Sequence, residues 1–96
     1  MMRLIVFMGV SPRRRVSSAD LVALHAPLLA AVGEAICAQR RARKLTQQEL
    51  ADRCGVQRAY LSALEHGTRN PTLITLSRIT DELGWSLTGL MHDANV

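Results

Sequence analysis

The sequence predicts an all-α fold, a compact bundle of four or five short helices behind an N-terminal arm. Three observations carry this. The 96 residues suffice for one small domain. Hydrophobic residues make up 48% of the chain, yet Phe7, Tyr60 and Trp85 are its only aromatics. Such an aliphatic core suits packed helices better than a β-sandwich. From Ser18 onward, apolar residues recur at helical spacing, with Ser or Thr where the runs start and Gly where several stop.

Residues 1–18, MMRLIVFMGVSPRRRVSS, form the arm. One arginine ahead of the apolar stretch Leu4–Val10 has a faint look of a signal peptide. Pro12 and three arginines then stand where a small-residue cleavage site belongs, so secretion is not expected. The segment reads equally as a disordered arm, an added strand, or residues upstream of the true start, for which Met8 is another candidate. Residues 19–96 form the folded domain.

Ser17 or Ser18 caps a short helix through Leu24. Pro27 suits the first turn of the next, which runs to about Lys44 with Leu29, Val32, Ile36, Cys37 and Arg40 on one stripe. Gly33 weakens its middle by about 1 kcal/mol relative to Ala. Thr46 opens the following helix, and Glu49 three residues later completes a capping box. Leu50, Ala51 and Cys54 line its inner face, and Gly55 ends it. A helix over about Arg58–His66 turns Leu61 and Leu64 inward, and Thr68–Pro71 is a loop. Thr72 caps a helix carrying Leu73, Leu76, Ile79 and Leu83, stopped by Gly84. Ser86 caps a last helix with Leu87, Leu90 and Met91.

Charge is unevenly placed. Residues 1–33 carry Arg3, Arg13, Arg14 and Arg15 against Asp20 alone, whereas residues 34–96 carry eight basic and seven acidic groups. The net charge of +4 is therefore weak evidence for nucleic acid, because the folded part is nearly neutral. Within it, Arg40, Arg41, Arg43 and Lys44 cluster. Such a patch can face phosphates, or complement the dipole of a helix end in solvent. Cys37 and Cys54, with no second pair and no histidine at ligand spacing, read as small buried thiols of a protein in a reducing cytoplasm.

The informative stretch is TQQELADRCGVQRAYLSALEHGTRNPT, residues 46–72. Two short helices joined at Gly55 make a helix-turn-helix, with core motif 47–66. Their steep crossing tolerates only a small side chain, Ala51, and the turn needs the positive φ that Gly55 supplies. Leu50, Val56, Leu61 and Leu64 close the core beneath.

The longer segment RRARKLTQQELADRCGVQRAYLSALEHGTRNPTLITLSRITDELGWSLTGL resembles the XRE/Cro/phage-repressor (lambda repressor-like) helix-turn-helix family. The likeness runs from about Gly33 to Met91, and "LTQQELA", "YLSALEHGTRNPT" and the late "LG" carry it. Arg58, Tyr60, Ser62 and Arg69-Asn70-Pro71 resemble most closely the controller proteins of restriction–modification systems and short phage-type regulators. The resemblance implies a sequence-specific, double-stranded DNA-binding transcriptional regulator. It also implies an internal ion pair between Arg40 and Glu65, and a phosphate contact from Gln47, which otherwise reads as a plain first-turn polar residue.

A helix such as 58–66 fits the major groove with its N-terminal outward residues at base edges. The candidate base contacts are Arg58, Ala59, Tyr60, Ser62 and Ala63. Arg58 leads, because a guanidinium pairs bidentately with guanine; contact with phosphate alone is its plainer reading. Tyr60 has burial against its own domain as the alternative. Arg69 and Asn70 face phosphates, or in the case of Asn70 shape the turn. Arg43 and Lys44 are further phosphate candidates. Gln57 stands where the family has Ser or Thr as cap, which blurs the start of the reading helix.

One short helix reads few base pairs, so a homodimer on two half-sites is expected. Trp85, Leu87, Leu90 and Met91 are the first candidate dimer surface, with capping of the core as their plainer reading, and Leu4–Val10 is the second. The rival reading is an antitoxin-type module that binds a partner protein and autoregulates its promoter; a toxin or polymerase is the implied protein partner. His25, His66 and His92 lack partners at catalytic or metal spacing, so no enzyme, metal or cofactor is expected. No apolar run reaches the roughly 20 residues of a membrane span.

Overall fold

The structure, a computed structural model, describes residues 16–96; Leu4–Val10 and Arg13–Arg15 lie outside the described residues. The helices are α1 Ser18–Leu24, α2 Ala26–Ala42, α3 Gln47–Cys54, α4 Arg58–Glu65, α5 Leu73–Glu82 and α6 Leu87–Ala94. Among the described residues there is no strand. The fold is all-α, with six helices where four or five were expected, and α1 and α2 meet at 80°.

Four helices begin under a side-chain cap. Ser17, Thr46, Thr72 and Ser86 accept from the amides of Asp20, Glu49, Thr75 and Gly89, and at α1 and α3 the capping box is complete. From α2 to α6 each helix is followed by a left-handed residue: Lys44, Gly55, Gly67, Gly84 and Asn95. The next amide then bonds back into the helix, as in Leu45 to Arg40 at 3.1 Å and Val56 to Ala51 at 3.0 Å. Lys44 thus lies past the end of α2 instead of inside it.

The core gathers Ile36, Leu50, Ala51, Leu61, Leu64, Ile79, Leu83 and Leu90, all at most 1% exposed. Around it α2 packs on α4 and α6, α3 on α4 and α5, and α5 on α6. Gly33, which weakens its helix, also has a packing role. A Cβ there would lie 2.5 Å from the Leu64 carbonyl oxygen and 2.6 Å from that of Glu65, so its bare backbone lets α2 cross the end of α4. Gly67 completes the crossing from the other side, its absent Cβ falling 2.9 Å from Ala30 Cα.

Two side chains depart from the expected core. Leu73, grouped with Leu76, Ile79 and Leu83 on the helix after Thr72, is 69% exposed, because it is the first helical residue and precedes the buried set beginning at Leu76. Cys54 is buried, but Cys37 is only half-buried. Cys37 lines an open groove of about 700 Å³ with Ala31, Ala35 and Ala94.

Candidate nucleic-acid interface

The helix-turn-helix is assembled by three features. Ala51, fully buried, occupies the crossing of α3 and α4. Gly55 turns the chain at φ 72°, and Leu61 and Leu64 anchor the inner side of α4. The opposite side of α4 therefore faces out in a fixed rotation. Arg58 and Ala59 are exposed on its first turn, while Tyr60, Ser62 and Ala63 are half-buried along it. Gln57 makes no side-chain cap, yet the helix still starts at Arg58.

Tyr60 packs against the core, and the Arg69 guanidinium lies over its ring, 5.1 Å from the centroid. The loop after α4 thereby holds a cation in place by cation–π attraction. Thr68 Oγ1 donates to the Ala63 carbonyl at 3.0 Å, and His66 Nδ1 lies 2.7 Å from the Ser62 carbonyl, so both secure the end of α4. The sequence reading had assigned neither residue a role. Asn70 is exposed beside them. Tyr60, Thr68, Arg69 and Asn70 share a shallow groove of about 490 Å³ with Ser18, Ala19 and Val22 of α1.

Arg40 and Glu65 form a buried, two-point ion pair. Arg40 Nε donates to Glu65 Oε2 at 2.7 Å and Nη2 to Oε1 at 3.0 Å. Arg40 Nη1 also donates to the Leu45 carbonyl at 2.8 Å. Burial alone pushes the Glu65 carboxyl up, but the hydrogen bonds from Arg40 and Gln47 and the guanidinium charge outweigh it, holding the carboxyl below its ordinary range. The Glu65 hydrogen bond raises the pKa of Arg40 in turn. The pair ties the last turn of α2 to the end of α4.

Gln47 is drawn into this pair, its Nε2 donating to Glu65 Oε1 at 2.9 Å. The side chain expected to point at phosphate is thus partly committed inward, because Glu65 has acceptor capacity left after Arg40. Arg43 and Lys44 are exposed at the end of α2. Arg43 Nη1 donates to the Gln39 carbonyl at 3.2 Å and also to the Gln39 side-chain oxygen.

The expected dimer surface does not stand as a unit. Leu90 is fully buried, since α6 turns it into the core beside α2, and it is not available to a partner. Trp85, Leu87 and Met91 are half-buried and pack on the same core. Trp85 lies over Gly89, whose missing Cβ would sit 2.5 Å from the indole nitrogen. Among the described residues no group of His, Cys, Asp or Glu is placed to hold a metal ion, and no single helix is long and apolar enough to cross a membrane.

A helix-turn-helix family model matches residues 38–90, more than half of the chain. The chain belongs to the XRE-type helix-turn-helix family. It is 47% identical over 55 residues to an uncharacterized HTH-type transcriptional regulator of Sinorhizobium fredii, a match covering 57% of this chain and 71% of the relative. Among solved structures it is similar to the clp gene regulator ClgR from Corynebacterium glutamicum, with TM-score 0.70 and 31% identity over 71% of this chain and 72% of that one. It is also similar to the restriction-modification controller protein C.AhdI from Aeromonas hydrophila, with TM-score 0.63 and 29% identity over 65% of this chain and 94% of that one. This XRE-type protein is a DNA-binding transcriptional regulator, in a class that is not enzymatic.

Proposed function

We propose that this regulator recognises a two-part operator as a homodimer, each copy laying α4 in the major groove with Arg58 as its chief base reader. One observation carries the reading. The inner side of α4 is locked by Leu61, Leu64 and the Arg40–Glu65 pair, so Arg58 and Ala59 are the exposed residues of its first turn. A guanidinium there matches guanine O6 and N7 bidentately. Ala59 and Ala63 offer methyl contact only and Ser62 a single hydroxyl, so the rest of the discrimination falls to DNA shape.

Phosphate contacts are assigned to Arg69 and Asn70 on the loop after α4, to Arg43 and Lys44 at the end of α2, and to Gln47. The second amide proton of Gln47 remains for a phosphate while the first holds Glu65. Two half-sites about one helical turn apart follow from the short reach of an eight-residue reading helix.

The test is a titration of the purified protein against its own upstream DNA and a scrambled duplex, at two salt concentrations, with Arg58→Ala alongside. Preference for upstream DNA of at least about 10³, with about 1–3 kcal/mol of it lost in Arg58→Ala, is the expected result. Equal binding of the two duplexes, abolished by salt, overturns the reading, because charge alone then accounts for it.

A further inference from the structure

Residues 16–96 carry eight basic and eight acidic side chains, so the whole net charge of +4 belongs to Arg3, Arg13, Arg14 and Arg15. Three of these four arginines are consecutive and immediately precede Val16, the first described residue. Several cations of the fold are already engaged: Arg40 by Glu65, Arg43 by Gln39 and Arg69 by the Tyr60 ring. A body of no net charge is a poor match for duplex DNA, which carries one negative charge per about 1.7 Å of axis.

The fold decides where the three arginines enter. Ser17 caps α1 with extended backbone, and the capping box sets the direction of the incoming chain. Ser17 Oγ accepts from the Asp20 amide at 3.1 Å, and Asp20 Oδ2 accepts from the Ser17 amide at 3.3 Å. Asp20, the one acidic residue of 1–33, is thus turned to the cap. The groove of about 490 Å³ sets Ser18, Ala19 and Val22 opposite Tyr60, Arg69 and Asn70. The chain therefore joins the fold beside the loop assigned to phosphate. Arg15 is three residues from Ser18 and Arg13 five, which a fully extended chain spans in at most about 11 and 18 Å. That tether limits the three arginines to the stretch of DNA backbone adjoining the loop.

We propose that Arg13, Arg14 and Arg15 bind the phosphates directly beyond those met by Arg69 and Asn70, lengthening the DNA contact of each copy without reading sequence. The inference rests on the DNA-facing loop of the operator reading and deepens it. A guanidinium beside a phosphate releases a condensed counterion, an effect of charge and not of base identity. The reading helix then chooses the site, while the three arginines set how tightly and how salt-sensitively the protein holds any duplex.

The full chain is compared with Arg13→Gln/Arg14→Gln/Arg15→Gln and with Arg13→Lys/Arg14→Lys/Arg15→Lys on the upstream and scrambled duplexes. The glutamine variant is expected to bind both duplexes more weakly by one common factor. Its slope of log K against log salt should fall by up to about 2.7 per copy, about 0.9 for each contact. The wild-type advantage then shrinks about 40-fold between about 50 and 200 mM salt. The lysine variant should keep both affinity and slope. Hydroxyl-radical footprints place the contact: protection lost in the glutamine variant should adjoin the protection lost in Arg69→Ala.

An unchanged slope in the glutamine variant overturns the proposal, as does protection lost away from the Arg69 position. A lower urea midpoint in that variant also overturns it, because the arginines then serve the fold. So does a lysine variant that no longer separates upstream from scrambled DNA, because the arginines then read bases. Failure of the operator reading shows separately. Wild type binding both duplexes equally, with the slope reduced in the glutamine variant, keeps the arginine contacts and discards the operator. A wild-type preference for upstream DNA with the slope unchanged in that variant does the reverse.

Discussion

Arg40 and Glu65 are 25 residues apart and buried together, so neither is tolerated there alone. Removing one partner strands a buried charge, at a cost of about 3–5 kcal/mol, whereas replacing both with apolar residues of similar volume is often nearly neutral. Glu65→Ala and Arg40→Ala should each lower the unfolding free energy from urea titration by that amount, and Arg40→Met/Glu65→Leu should recover most of it. The pair also has a pH signature. A carboxyl held below its ordinary value contributes stability that is complete above the unfolded value, near 4.3, and is lost as pH falls through the lower folded value. Wild type should therefore weaken below about pH 4.3, and Glu65→Gln should weaken less over the same interval. Urea midpoints between about pH 3 and 6 measure it. Equal acid sensitivity in the two proteins would show that Glu49, held low by the Thr46 backbone amide, and other carboxylates carry the effect instead.

Between elements, the crossing of α2 and α4 is set by Gly33 and Gly67 together. Gly33→Ala gains up to about 1 kcal/mol of helix propensity but drives a methyl into two carbonyl oxygens, an overpacking cost of about 1–3 kcal/mol. The melting temperature is expected to fall, by about 5–15 °C for a domain of this size. A rise would mean that α2 can shift freely over the end of α4. This glycine marks the limit of what the sequence disclosed. Caps at Ser17, Thr46, Thr72 and Ser86 were legible because they are local, set by three-residue spacings. So were Ala51 and Gly55, whose meaning lies within one motif, and Arg58 and Ala59 on the outer side of the reading helix. Gly33 was not, because its partner lies about thirty residues away in another helix. Leu73 was misplaced because periodicity continues to the end of a helix while the neighbour it would pack on does not. The inward hydrogen bond of Gln47 is not legible, because its partner, Glu65, is visible only once α3 and α4 are folded together. For Leu90 the sequence leaves dimer surface and core open, because a short terminal helix shows no partner until α2 is laid against it.

Beyond single elements, near-neutrality of residues 34–96 means that the DNA affinity of this part is expected to rest on a few placed cations and not on bulk charge. Arg69 is the best placed of them, held over the Tyr60 ring, which is itself anchored in the core. A cation fixed before binding gives up less side-chain freedom on reaching a phosphate, so the ring and the guanidinium should act as one unit. Arg69→Ala is expected to weaken binding about equally across sequences and to reduce the slope of log K against log salt by about 1 per copy. Tyr60→Phe keeps the ring face and should retain both affinity and slope. Tyr60→Ala should lose part of the affinity and, once Arg69 is already alanine, should cost much less. That non-additivity is the signature of coupled residues, read from a double-mutant cycle on the upstream duplex at several salt concentrations. Full additivity of the two alanine substitutions would mean that Tyr60 reaches the DNA independently, through a base or sugar, and that the stacking of Arg69 on its ring does not survive on the duplex.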